Sequence, residues 1–201
     1  MDGDDRVVPT AVVRTLGGRE FRARLAELVA LYVSAMHYPM GVQSARAALW
    51  DEHSRRTGFA AVIAEAPDGA ALGIGYGYRG APGQWWYSEV RRGLAERADS
   101  WMTDFFELTE LHVRPDAQGR GLGELLLTRL LVDRPEALVL LSTPEGTNRA
   151  WRLYRRTGFV DLLRDYRFTG DPRPFGVLGR PLPFEPPTGE PQAGVDDRHR
   201  G

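Results

Sequence analysis

The 201-residue chain contains no cysteine and no lysine. Without cysteine it has no disulfide, no thiolate metal ligand and no thiol nucleophile. Without lysine, all 26 of its basic residues are arginine. Asparagine occurs only at Asn148, and isoleucine only at Ile63 and Ile74. Excess charge is missing too. The net charge is −1, so the electrostatic footprint of a nucleic-acid or membrane-surface binder is absent. No apolar run is long enough to span a bilayer. Residues 1–9 are acidic and lack the basic and apolar regions of a signal peptide. A cytoplasmic protein with no nucleic-acid or membrane partner is the expectation.

What is present reads as one domain over residues 10–183, between a flexible N-terminus, 1–9, and a polar, proline-rich, disordered tail, 184–201. Residues 10–16 alternate like a strand. Apolar residues from Phe21 to Met36 recur at helical spacing, and a second helix is expected over 42–56. Residues 59–66 and 70–79 read as a hairpin around Pro67-Asp68-Gly69. A short amphipathic helix is expected over 84–98, then a strand over 105–113. Leu122, Leu125, Leu126, Leu130 and Leu131 form the stripe of a strong helix. A buried strand at 137–141, a helix at 149–157 stopped by Gly158, and strands at 159–168 and 175–182 complete the order. This order predicts a mixed α+β fold, a central sheet of about six to seven strands with helices on both faces.

The chemistry concentrates after the strand at 105–113. Glu107 and Glu110 lead into Leu111-His112-Val113-Arg114-Pro115, then Gln118-Gly119-Arg120-Gly121-Leu122-Gly123-Glu124 and the leucine-rich helix. Glycines let backbone amides converge at the positive end of a helix dipole, which suits a phosphate or pyrophosphate. Arg120 can add a charge-assisted contact. A P-loop is excluded because Glu124 and Leu125 follow the last glycine. The spacing Gly119-x-Gly121-x-Gly123 also differs from a dinucleotide-binding fingerprint. A glycine turn with no ligand is the plain alternative.

Gln118-x-x-Gly121-x-Gly123, preceded by Leu111-His112-Val113-x-Pro115, resembles the acetyl-CoA pyrophosphate loop of the GCN5-related N-acetyltransferase (GNAT) family. Ala150-x-x-Leu153-Tyr154-x-x-x-Gly158-Phe159 resembles the second signature of that family, one strand further on. The resemblance covers about residues 72–168 and implies a sheet with a splayed strand pair. It implies that the backbone of Leu111, His112 and Val113 pairs with pantetheine. It also implies that the loop from Gln118 through Gly119, Arg120, Gly121, Leu122 and Gly123 to Glu124 holds the pyrophosphate. Tyr154 falls on the family tyrosine that protonates the departing thiolate. The family asparagine seven residues earlier is Thr147 here, with Asn148 beside it, so both are candidates for coenzyme contact. A glutamate is implied as general base. Plain alternation puts Glu107 and Glu110 on opposite faces, the bulge frequent in the family leaves their facing open, and Glu110 is preferred as nearer the thioester. His112 is expected to pack or hydrogen-bond.

The resemblance implies acetyl-CoA as cosubstrate, no metal, and direct acetyl transfer to an amine, a small molecule in preference to a protein. A non-catalytic CoA-binding module and transfer to a protein N-terminus are the alternatives. The acceptor side is expected among Tyr32, His37, Tyr38, Met40, Arg46, Trp50, Trp85, Trp86, Tyr87 and Phe175. A homodimer is left open.

Overall fold

The computed structural model describes residues 11–39, 41–146 and 148–185. Most of the two segments expected to be flexible lies outside these residues, as do Met40 and Thr147.

Seven strands form one sheet: β1 (Val12–Leu16), β2 (Ala60–Glu65), β3 (Ala71–Arg79), β4 (Phe105–Val113), β5 (Leu138–Pro144), β6 (Val160–Tyr166) and β7 (Phe175–Pro181). Their spatial order is β1-β2-β3-β4-β5-β7-β6. Only β4 and β5 are parallel, joined by a helical crossover as parallel neighbours require. Alternation along the strands sends side chains to two covered faces. On one face α1 (Gly18–Ala23), α2 (Leu25–Met36) and α3 (Gln43–His53) enclose Ile63, Ile74, Tyr76 and Tyr78. Further along that face α4 (Trp85–Leu94) and α5 (Ala98–Trp101) cover Phe105, Leu140 and Val177. The leucine stripe of α6 (Leu122–Leu131) and the inner face of α7 (Arg149–Arg156) cover Val62, Phe106, Val139 and Leu178 on the other side.

Two features of β4 position the site. Its parallel pairing with β5 stops after three residue pairs, the last being Glu107↔Leu140. Downstream, β4 stays paired to β3 as far as Val113↔Gly73, and β5 to β7 as far as Pro144↔Phe175. The two strands therefore splay, and one edge of β4 over residues 108–113 faces no strand. The second feature is a bulge. Gly77 opposes Leu108 and Tyr76 opposes Glu110, so Thr109 has no counterpart. Gly77 permits it: a Cβ there would lie 2.1 Å from the Glu107 carbonyl oxygen.

Three expectations need correction. The helix expected from Phe21 to Met36 is two helices, because Arg24 leaves helical geometry at φ −105°, ψ 9°. Its guanidinium reaches sideways to Glu27, Glu65 and the Gly69 carbonyl. The helix expected over 84–98 ends at Leu94. Ala95 has φ 50°, and a single 3-10 turn leads into α5. The tail does not begin at 184: Phe184 is buried in the core with Arg180 over its ring at 4.6 Å.

Candidate active site

The sequence Pro115-Asp116-Ala117 forms one 3-10 turn, and the chain then runs over Gly119 and Gly121, both at φ 79°, into α6. An L side chain is strained at that angle. A Cβ on either glycine would meet nothing within 4 Å, so the outer side of the loop is open. The Glu124 amide donates to the Gly121 carbonyl, whereas the Leu122 and Gly123 amides at the start of α6 have no intrahelical acceptors. They are left for an anion at the positive end of the dipole.

The loop is one wall of a cavity of about 420 Å³. Leu111, His112 and Val113 from the splayed half of β4 form a second wall, and Arg149, Arg152, Leu153, Tyr154 and Arg156 from α7 a third. Thus the structure brings Gly119, Gly121, Leu122, Gly123, Glu124 and Tyr154 around one space. Gln118 also lines it, with its side chain engaged: Nε2 donates to the Val113 carbonyl at 2.9 Å, and Oε1 accepts from Arg149 at 2.9 Å. Gln118 therefore ties β4, loop and α7 together.

Tyr154 is buried, with its ring edge-to-face against Phe159 at 5.4 Å. Burial pushes its phenol well above the ordinary value, and the negative charge of Glu110 adds to the shift. The phenol stays protonated at neutral pH, as a proton donor must.

The bulge decides the facing of the acids, which alternation alone leaves open. Because Thr109 is an extra residue, Glu107 and Glu110 lie on the same side of β4 instead of opposite sides, opposing Tyr78 and Tyr76. Glu110 accepts from His112 Nε2 at 2.6 Å and lies 3.7 Å from the Arg46 guanidinium. Arg46 sits 4.8 Å over the Tyr32 ring, and His112 meets Tyr32 edge-on at 4.9 Å. This cluster adjoins the cavity through His112.

Glu107 lies deeper. It is fully enclosed, accepts from the Tyr78 hydroxyl at 3.0 Å, and has no partner for Oε2 among the described residues. Burial raises its pKa from 4.5 to about 7, against the opposing effects of the Tyr78 bond and Arg56. Unfolded, Glu107 ionises near 4.5. Folded, it holds its proton to about 7. Stability therefore falls as pH rises across that window and stays lowered above it. Glu107→Gln should stabilise the protein at pH 8 by up to about 3 kcal/mol and leave it unchanged near pH 4. Thermal melts of both proteins from pH 4 to 8 check this; a gain of equal size at every pH would contradict it.

Other expected residues fall elsewhere. Arg120 is exposed and outside the cavity wall. Asn148 caps α7, its Oδ1 accepting from the Trp151 amide at 3.0 Å, and it does not reach the cavity. Thr147 lies outside the described residues. Trp50 is core, stacked among Phe21, Tyr32 and Tyr76. Trp86 and Tyr87 pack on Phe105, away from the cavity, with Trp86 donating to Ser142. Among the described residues no group of three His, Asp or Glu side chains could hold a metal ion. Nor is any helix there long and apolar enough to cross a membrane.

The sequence reading missed Arg149, Arg152 and Arg156. The signal was available: steps of three and four residues place them on the face of α7 that carries Leu153. An open glycine cradle, an unpaired strand edge and an arginine-rich wall fit an extended ligand with phosphates at one end, as acetyl-CoA is.

Comparison with known proteins agrees. The acetyltransferase (GNAT) domain family matches residues 82–161. A relative from Mycobacterium tuberculosis, the GCN5-like protein acetyltransferase Rv2170, is 49% identical over 195 residues, covering 82% of this chain and 95% of the relative. Among solved structures, the ribosomal-protein-S18-alanine N-acetyltransferase from Escherichia coli superposes with a TM-score of 0.59 at 17% identity, over 89% of this chain and 98% of that one. The protein yncA from Salmonella typhimurium, solved with its cofactor acetyl-CoA, gives 0.60 at 17% identity, over 88% and 96%. At such identities these structures speak for the fold, and the Mycobacterium relative carries the kinship. The chain belongs to the GNAT family of acetyl-CoA-dependent N-acetyltransferases.

Proposed function

We propose that the chain moves an acetyl group directly onto an amine of a protein, with Glu110 as proton acceptor and Tyr154 as proton donor. The observation that carries this reading is the meeting of three parts in one cavity: the unpaired edge of β4, the open loop at 119–123, and Tyr154.

Bound acetyl-CoA supplies an activated acyl carbon and a thiolate leaving group. The free edge of residues 111–113 offers backbone donors and acceptors to an extended ligand, in the manner of strand addition. An amide there suits an oxyanion developing on the acyl oxygen. The α6 amides and the loop hold the diphosphate. Glu110 takes a proton from the ammonium acceptor, directly or through water, so that a neutral amine attacks. Arg46 and the His112 bond hold its carboxylate in place beside the cavity. Glu107 is less suited, since it is sealed from the cavity. Tyr154 gives its proton to the leaving sulfur. No acyl-enzyme is needed, in keeping with a chain that has no cysteine.

A protein acceptor is supported by the printed name of the Mycobacterium relative, a protein acetyltransferase. This shifts the balance from the small amine that the sequence alone favoured.

The test is thiol release from acetyl-CoA with lysine-containing peptides, protein N-terminal peptides and small amines. Turnover on peptides alone is expected. Turnover on small amines alone would overturn the acceptor assignment, and none on any acceptor would overturn the transfer reading. Glu110→Gln should lower kcat/KM about 100-fold near pH 7 with CoA affinity kept. The deficit should shrink as pH approaches the pKa of the acceptor amine, where the base is no longer needed. A pH-independent deficit would assign Glu110 a structural part only.

A further inference from the structure

The wall of the cavity formed by α7 carries more positive charge than its own carboxylates balance. Arg156 is paired with Glu124, its Nη2 2.7 Å from the carboxylate. This neutralises the acid that lines the cavity. Arg155 of α7 and Arg164 of β6, which do not line this cavity, are matched by Asp161 and Glu145. The Arg149 guanidinium bonds only the neutral amide of Gln118, and the Arg152 guanidinium has no hydrogen-bond or ion-pair partner among the described residues. Both line the cavity. Through Gln118, Arg149 is tied to the residue preceding Gly119, so the surplus charge adjoins the diphosphate cradle.

A diphosphate is already served by the helix amides at 121–123, and one dianion does not call for a second cationic group. CoA carries a second dianion, the phosphomonoester on its ribose, one sugar away from the diphosphate. Two guanidinium forks three residues apart on a helix suit a phosphomonoester, which accepts several charge-assisted bonds.

We infer that Arg149 and Arg152 form the subsite for the ribose 3′-phosphate and make this enzyme select CoA over dephospho-CoA. The inference rests on the coenzyme reading of the cavity given above. Arg156 belongs to the same face but serves a different end, cancelling Glu124 so that the cradle does not repel its ligand.

Four dissociation constants measured by titration calorimetry test the assignment: wild type and R149Q/R152Q, each with CoA and with dephospho-CoA. Wild type should bind CoA about tenfold tighter, as expected for exposed charge-assisted bonds. The double variant should weaken CoA by that factor, leave dephospho-CoA within about twofold, and so bring the ratio close to one. Raising the salt should shrink the wild-type ratio, because both side chains are solvent-exposed. R155Q removes the same charge from a neighbouring side chain that is already paired with Asp161 and does not line this cavity, and it should leave the ratio intact.

Equal weakening of both ligands in the double variant would place these arginines on the diphosphate and overturn the subsite. So would a wild type that does not discriminate, or an R155Q variant that also loses the ratio. Binding of neither ligand by wild type would overturn the coenzyme reading itself, a distinct result.

Discussion

Replacing Tyr154 by phenylalanine should lower kcat by about 100- to 1000-fold while CoA binds as before. The ring keeps its edge-to-face contact with Phe159 and its place in the core, so the melting temperature should hardly move. What is removed is one O–H at the cavity wall. If that group protonates the departing sulfur, the loss falls on the chemical step and not on binding. The wild-type pH profile carries a second signature. Burial and the neighbouring Glu110 charge hold the phenol above its ordinary range. Its ionisation should therefore produce no alkaline fall in activity below about pH 10, the ordinary phenol value. Steady-state kinetics of both proteins, paired with calorimetric CoA affinities, check the point. A Phe variant with wild-type kcat would reduce Tyr154 to a packing residue and favour a CoA-binding module over an enzyme.

Gly121→Glu should weaken CoA binding by more than about 100-fold, and Gly121→Ala by about fivefold. The two substitutions separate strain from charge. Both place a side chain at φ 79°, a left-handed angle that disfavours any L residue by about 1 kcal/mol. Neither meets a steric obstacle, since nothing lies within 4 Å of the new Cβ. The alanine effect is therefore the conformational part. Glutamate adds a carboxylate on the open side of the loop, where the α6 amides await a diphosphate, and the remaining loss is electrostatic repulsion. Both variants should stay folded, because the loop faces solvent. Equal losses for Ala and Glu would remove the anion from the loop.

Much of this was readable from residue order. The leucine stripe of α6 needs a sheet to cover, and the glycines before it mark a strand-to-helix turn wherever the strand lies. The parallel β4–β5 pair follows from the helix between them. Local pattern does not carry the break at Arg24, because apolar spacing runs from Phe21 to Met36 without interruption. That break depends on Glu65, a partner on a distant strand. Nor does it carry the splay of β4 from β5, which shows only in where the pairing of the two strands stops. The face of Glu110 stays open in the residue order for a similar reason. Alternation is a local rule, and the extra residue in β4 is set by Tyr76, Gly77 and Tyr78 across the ladder. The arginines of α7 were legible by spacing, but they became a wall only once the loop was placed opposite them.

Thr109 has a consequence beyond its own contacts. The ladder counts residues in twos, and this spare position resets the count midway along the strand. Pair it with Tyr76 in an unbroken ladder, and everything downstream trades sides: Glu110 and His112 would turn toward the leucines beneath the sheet, while Leu111 would come up beside Tyr32. The same sequence on a straight strand would retain every acid in its composition and turn Glu110 away from an incoming amine.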